Sequence, residues 1–327
     1  MPGIAPVRQG QATAVNRWRL PGPSNSGYQC NMRRLLSASA AIAWLIPSPA
    51  LAKPEPLRLK PSSPWNVAHQ DDYCRLGRIF GEGEQAIALI FERYAPQDSF
   101  RMMLSGQLVR PNSSIAQAEV RFGAGQDATK MGFAKGDLSG APLWIFSSAR
   151  LVPISEALEK QVELADWDKR PDLPPISPEQ EAAIREIEIG QPLSRPLILE
   201  TGTLRRAFEA FRGCTDTLLA HWGLNAARHR DALNLPKPLT SPGSWITTND
   251  YPTRMLMKGQ PALVNFRLMI DETGKVESCH IQLSTHPDGF HKAVCDAMQK
   301  RAKFSPALDK DGRPMRSYYI NVVRFQF

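Results

Sequence analysis

Four cysteines are the residues best placed to do covalent chemistry. Cys74, Cys214, Cys279 and Cys295 remain once Cys30, which precedes an export-like apolar run, is set aside. An even number in an exported chain reads as a disulfide framework, and four cysteines allow three pairings. Cys279 falls on a predicted strand and Cys295 on the predicted helix that covers it, so the two share an inner face. That favours Cys279–Cys295 and leaves Cys74–Cys214 for the first half of the chain. The competing reading is four buried free thiols, since cysteine packs readily as a small apolar side chain. Zinc fits poorly, because neither C-x-x-C nor H-x-x-x-H occurs and tetrahedral sites usually show such spacing.

Other reactive residue types do not assemble into a catalytic constellation. His280, His286 and His291 are close in sequence, but His280 points away from the predicted helix and His291 lies on or beside its stripe, so they do not share a metal. Asp71-Asp72 is a polar turn before a strand rather than a carboxylate pair. Phe80-Gly81-Glu82-Gly83 lacks the rest of a dinucleotide fingerprint and reads as a tight turn. His221 and His229 follow a helix, and His221 suits its negative end. No G-x-S-x-G, P-loop or H-E-x-x-H is present. The expectation is a non-enzyme with no cofactor and no metal. The alternative is an exported hydrolase-like enzyme in residues 65–232.

Composition is that of a globular protein, 42% hydrophobic and 22% charged. The net charge of +8 is concentrated at the start, where Arg8, Arg17, Arg19, Arg33 and Arg34 stand with no acid before residue 53. What remains is too small to argue for a nucleic-acid partner. Met32-Arg33-Arg34, the apolar run Leu35 to Ile46 and Ala50-Leu51-Ala52 form a signal peptide over residues 32–52, with cleavage between Ala52 and Lys53. Residues 1–31 read as an upstream extension that is not native. The expected compartment is the periplasm. Cleavage leaves no transmembrane anchor, whereas an uncleaved 35–51 would make one.

In the mature chain residues 53–64 are a Pro-rich leader, and a domain of residues 65–232 begins near Trp65. Trp65-Asn66-Val67, Ala86 to Arg93, Phe100 to Leu104, Val120 to Phe122 and Leu143 to Phe146 read as strands. Gly81 to Gly83, Gly123 to Gly125 and Gly132 to Gly140 read as turns. Helices are predicted over Ile154 to Trp167, from Ser177 to about Ile189, and over Gly202 to Trp222. The second opens on a Ser177/Gln180 capping box with Pro178 at N1. The third aligns Leu204, Ala207, Phe208, Phe211, Cys214, Leu218 and Trp222, with Gly223 beyond its end. Leu197 to Glu200 is a short strand. The Pro-rich residues 233–244 are read as a linker.

The last stretch is the best defined. Val264, Phe266, Leu268 and Ile270 alternate with polar residues. Asp271-Glu272-Thr273-Gly274 is turn chemistry, and Lys275 to Leu283 returns with Cys279, Ile281 and Leu283 on one face. Val294, Cys295, Met298 and Ala302 then form a helical stripe ended by Pro306. Arg316 to Phe327 is a final strand, with Tyr319, Val323, Phe325 and Phe327 on its apolar side. The fold class is therefore α+β: a mixed β-rich and helical first domain, then a small C-terminal domain in which one helix covers a three-stranded antiparallel sheet.

Residues 245–327 resemble the TonB C-terminal domain family. The resemblance rests on Tyr251-Pro252, Leu263 to Leu268, Asp271 to Val276, Arg301 to Ala307 and Asp311-Gly312-Arg313-Pro314, in that order and spacing. It implies a binding role in which the module engages a short segment of an outer-membrane transporter, linked to energy-dependent transport. The long Pro-Glu/Pro-Lys spacer of the family's transducers is absent here. The expected partner is thus a protein or peptide. The expected surface is the edge of the final strand, with Tyr318, Ile320, Val322, Arg324 and Gln326 as outward positions. These do not form the polar row of a plain solvent face, and an open edge offers backbone groups to an added strand.

Overall fold

The computed structural model describes residues 54–110, 116–285 and 289–326. Residues 1–31, the signal segment with Ala52 and Lys53, His286 and Phe327 lie outside the described residues. The leader is corrected first: it contributes a strand, β1 (Leu57–Leu59). Its prolines at 54, 56, 61 and 64 all miss those three residues, so no ladder donor is lost. β2 (Asn66–His69), β3 (Cys74–Phe80), β4 (Ile87–Arg93) and β5 (Phe100–Ser105) form an antiparallel meander. Ile87, Leu89 and Phe91 are all buried, as their alternation requires. β3 alternates too, with Cys74, Leu76 and Phe80 inward, although Arg75, Gly77 and Arg78 dilute its apolar character.

β6 (Gln117–Phe122), β7 (Thr129–Gly132), β8 (Ala134–Leu138) and β9 (Ala141–Ala149) follow. The span Gly132 to Gly140, read as turn, is corrected: β8 fills most of it. The reversal is confined to Ser139 and Gly140, both at positive φ, where Gly140 N–H donates to Asp137 Oδ1 at 2.8 Å. Ladder pairing with β9 decides this, because Lys135, Gly136 and Asp137 are exposed and carry no apolar period.

α1 (Glu156–Leu164) starts at Ser155, whose side chain accepts from Leu158 N–H. α2 (Pro178–Ala183) starts with the expected capping box but stops at Ala183, not near Ile189. β10 (Ile187–Ile189) replaces the rest of the expected helix. Ile187 and Ile189 are fully buried, and β6 and β11 (Leu197–Leu199) flank the strand on both sides. A β-branched pair at period two between two partner strands outweighs helix continuation. α3 (Arg205–His221) buries Ala207, Phe208, Phe211, Cys214 and Leu218, and Gly223 beyond it takes φ 72°. α4 (Ala226–Arg230) is short.

These elements make two sheets, ordered β2-β3-β4-β5-β9-β8 and β1-β11-β10-β6-β7, which share one core with α3. The Cys74–Cys214 disulfide ties β3 to α3. Arg93 lies inside this core, 2% exposed, with its guanidinium 4.8 to 6.0 Å from the ring centres of Phe211, Phe208 and Phe100. Burial pushes its pKa down to about 10, and the ring faces replace part of the lost hydration.

The remaining elements are β12 (Lys237–Pro238), α5 (Thr253–Met257), β13 (Ala262–Ile270), β14 (Val276–Ser284), α6 (Phe290–Arg301), β15 (Phe304–Ser305), β16 (Ala307–Leu308), β17 (Pro314–Met315) and β18 (Ser317–Phe325). They give the expected three-stranded antiparallel sheet, order β14-β13-β18, under one helix. Val264, Phe266, Leu268 and Ile270 pack with Val294 and Met298 in a second core. The second disulfide, Cys279–Cys295, joins β14 to α6. The hairpin turn is held by Asp271 Oδ1, which accepts from Thr273 and Lys275 N–H at 2.8 and 2.9 Å. Gly274, at φ 84°, sits so close to the chain that an added Cβ would stand 2.1 Å from Phe304 O.

Three details differ from expectation. The Pro-rich stretch read as a linker carries a strand of its own: β12 pairs with β15, and Leu239 N–H donates to Lys303 O. That pairing also ends α6 at Arg301, well before Pro306. In β14 the register shifts between Gln282 and its neighbours, so Leu283 faces Asn265 and is 38% exposed rather than inward with Cys279 and Ile281. A bulge adds one residue and turns the following side chain over.

Candidate partner-binding edge

Among the described residues β18 pairs with β13 alone, so its other side is an open sheet edge. The direction of each amide follows from the ladder. Leu263 N–H donates to Thr285 Oγ1, and its carbonyl accepts from Thr285 N–H, so odd-numbered residues of β13 direct their backbone toward β14. Even-numbered residues therefore bond to β18. The register Val264↔Val323, Phe266↔Asn321 and Leu268↔Tyr319 runs without a shift. Odd residues of β18 are thus engaged, and Tyr318, Ile320, Val322 and Arg324 turn their amides outward. Val322 N–H confirms this, since it donates to Asn321 Oδ1 at 2.8 Å instead of crossing to β13.

The side chains of the five sequence-predicted residues are divided by the structure. They stand on the sheet face opposite α6, and the first half of the chain covers part of that face. Tyr318 is buried, packs edge-on against Trp222 at 5.4 Å and donates its hydroxyl to Pro96 O at 3.2 Å. Burial raises its phenol pKa. Ile320 is half-buried against the same core, Val322 and Gln326 are half-buried, and Arg324 is exposed with no ion pair among the described residues. The missing polar row at 318 and 320 is explained by intramolecular packing.

The contact that covers this face was not legible in the sequence. Asp72, read as a turn residue, accepts from Arg267 Nη1 at 3.3 Å and contacts His280 Nε2 at 2.9 Å. Its carbonyl, with that of Tyr94, accepts from the buried Gln282 amide at 3.0 and 3.1 Å. The Arg267 guanidinium lies 4.2 Å above the Trp222 ring; burial lowers its pKa and Asp72 partly restores it. Arg101 Nη2 donates to Asn265 Oδ1 at 3.0 Å, and Arg101 also reaches Tyr94 and the buried Glu92. Met269 and Tyr318 belong to the first core although they stand on the C-terminal sheet. The only available signal was polar residues at Asn265 and Arg267 on an otherwise apolar strand.

His280 and His291 lie on opposite sides of the sheet, and among the described residues no group of histidines, cysteines and carboxylates could hold a metal. His229 serves the interface: its Nδ1 meets Asn225 O at 2.9 Å and its Nε2 meets Ser317 Oγ at 3.2 Å. Burial lowers its pKa below the usual imidazole value. The folded state then binds the proton more weakly than the unfolded chain. Its stabilisation is complete above about pH 6.5 and is lost as pH falls through the folded pKa. We expect His229→Gln to flatten this part of the stability profile, measured as urea midpoints between pH 7.5 and 5.

Residues 247–327 match the family described as the Gram-negative bacterial TonB protein C-terminal. This module is a TonB C-terminal domain. No curated protein and no solved structure matches the chain. The family is linked to energy transduction for outer-membrane transport and to interaction with proteins. In this chain the TonB C-terminal domain has one sheet face under α6 and part of the other under the preceding elements, and its two sheet edges are β14 and β18. The two disulfides fit the oxidising compartment in which such domains work. Among the described residues no helix is long and apolar enough to cross a membrane.

Proposed function

We propose that this is an exported periplasmic binding protein, not an enzyme, whose TonB C-terminal domain takes up an extended segment of an outer-membrane transporter along the edge of β18. The observation that carries the reading is the row of outward amides at Ile320, Val322 and Arg324 on a family-matched module, of which Val322 N–H is held by the Asn321 side chain and the other two have no acceptor among the described residues. An added strand satisfies such groups, and backbone pairing supplies the affinity. The exposed, unpaired Arg324 favours an acidic residue opposite it.

The test places proline on the strand in two registers. Val322→Pro removes an outward donor and leaves the β13 ladder intact, a position where edge strands tolerate proline. Val323→Pro removes a ladder donor and is the unfolding control. Binding is read with synthetic peptides that tile the periplasm-facing segments of the same organism's outer-membrane transporters. Val322→Pro should keep the urea midpoint and lose binding by about tenfold or more. Undiminished binding by folded Val322→Pro would exclude the edge.

A further inference from the structure

The central amide of this edge is already occupied. Asn321 stands on the inner face, in register with Phe266, yet its side chain reaches round to the outward side. Its Oδ1 accepts from Val322 N–H at 2.8 Å, and its Nδ2 donates to Tyr319 Oη at 2.9 Å. Tyr319 is itself fixed, with its ring 4.8 Å from Phe304 and 5.7 Å from Trp245. The carboxamide is therefore anchored at both ends, its oxygen on the open edge and its nitrogen on a packed phenol. The flanking outward amides of Ile320 and Arg324 have no such acceptor among the described residues.

We infer that Asn321 gates the edge: an incoming strand must displace Oδ1 from Val322 N–H before its own carbonyl can take that donor. This rests on β18 being the docking edge. The chemistry is an exchange of acceptors on one N–H, with no change of charge or protonation. It serves two ends. An uncapped edge pairs with any exposed strand, so a cap at its midpoint disfavours casual pairing. A strand that also engages Ile320 and Arg324 gains bonds on both sides of the cap and can displace it. The partner thus selected is an extended segment long enough to span residues 320 to 324.

Two substitutions of opposite sign test the gate. Asn321→Ala removes the competing acceptor. Asn321→Asp replaces it with a charged one, which holds an N–H more strongly. Amide hydrogen exchange in the free protein should show Val322 losing protection in Asn321→Ala and keeping it in Asn321→Asp. With the same transporter peptides, Asn321→Ala should bind about three- to tenfold tighter than the unsubstituted protein and Asn321→Asp weaker, the size expected for one hydrogen bond. A merely structural role for Asn321 would move both variants the same way. That outcome, or unchanged Val322 exchange in Asn321→Ala, would overturn the gate and leave the docking edge standing. Lost Val322 protection with no peptide bound by any of the three proteins would overturn the docking edge, and the gate with it.

Discussion

Replacing Cys74 and Cys214 together by alanine should lower the unfolding free energy by about 5 kcal/mol if loop closure dominates. The bond closes a separation of 140 residues between β3 and α3, and both cysteines are 0 to 1% exposed in the first core. The same relation gives about 3 kcal/mol for the 16-residue separation of Cys279 and Cys295. Alanine replaces a small buried side chain in the first pair and a partly buried one in the second, so lost packing does not reverse the order. Urea unfolding of the two double variants beside the oxidised protein checks this. A larger loss from the Cys279/Cys295 pair would mean that native packing, not unfolded-chain entropy, sets the contribution of each bond.

Arg267→Ala should cost about 2–4 kcal/mol, the range for a charge-assisted hydrogen bond plus a desolvated cation–π contact. Arg267 is one of several side chains that join the two cores, beside Asn265, His280, Gln282 and Tyr318. It sits 11% exposed on β13, bonds Asp72 from the first half, and covers the Trp222 ring. Alanine removes both contacts and leaves Asp72 with His280. Lysine restores the charge but not the planar stack, so Arg267→Lys should recover less than half of the loss. Arg267→Met keeps the volume over Trp222 without a buried charge and should be the mildest of the three. The second readout is cooperativity. Fluorescence and far-UV dichroism should report one urea transition for the unsubstituted protein and separated transitions for Arg267→Ala. Coincident transitions at an unchanged midpoint would show that Arg267 contributes nothing to stability.

The local elements of the C-terminal module are legible in the residue pattern alone. Strict alternation over Val264 to Ile270, turn chemistry at Asp271 to Gly274 and the stripe through Val294 and Met298 are short-range signals. Each is satisfied by neighbours the pattern already implies, and the match to residues 247–327 agrees with the resemblance they carry. The pairing of Cys279 with Cys295 was legible for the same reason, as both lie within that module. The Ser177/Gln180 capping box was legible as well, because a cap involves only adjacent backbone.

Other features depend on partners distant along the chain. Ile187 to Ile189 is a strand because β6 and β11 flank it, and no local pattern reports that. The Pro-rich stretch is ordered because β15 accepts it. The candidate site shows the same division. Alternation names Tyr318, Ile320, Val322, Arg324 and Gln326 as one row, but only the fold separates them. Tyr318 and Ile320 are taken up by the first core. Arg324 stays in solvent, and Val322 presents an amide that Asn321 covers. A period of two states which residues share a face. Whether that face meets solvent, a partner or the protein's own core is set by long-range packing, which a period does not encode.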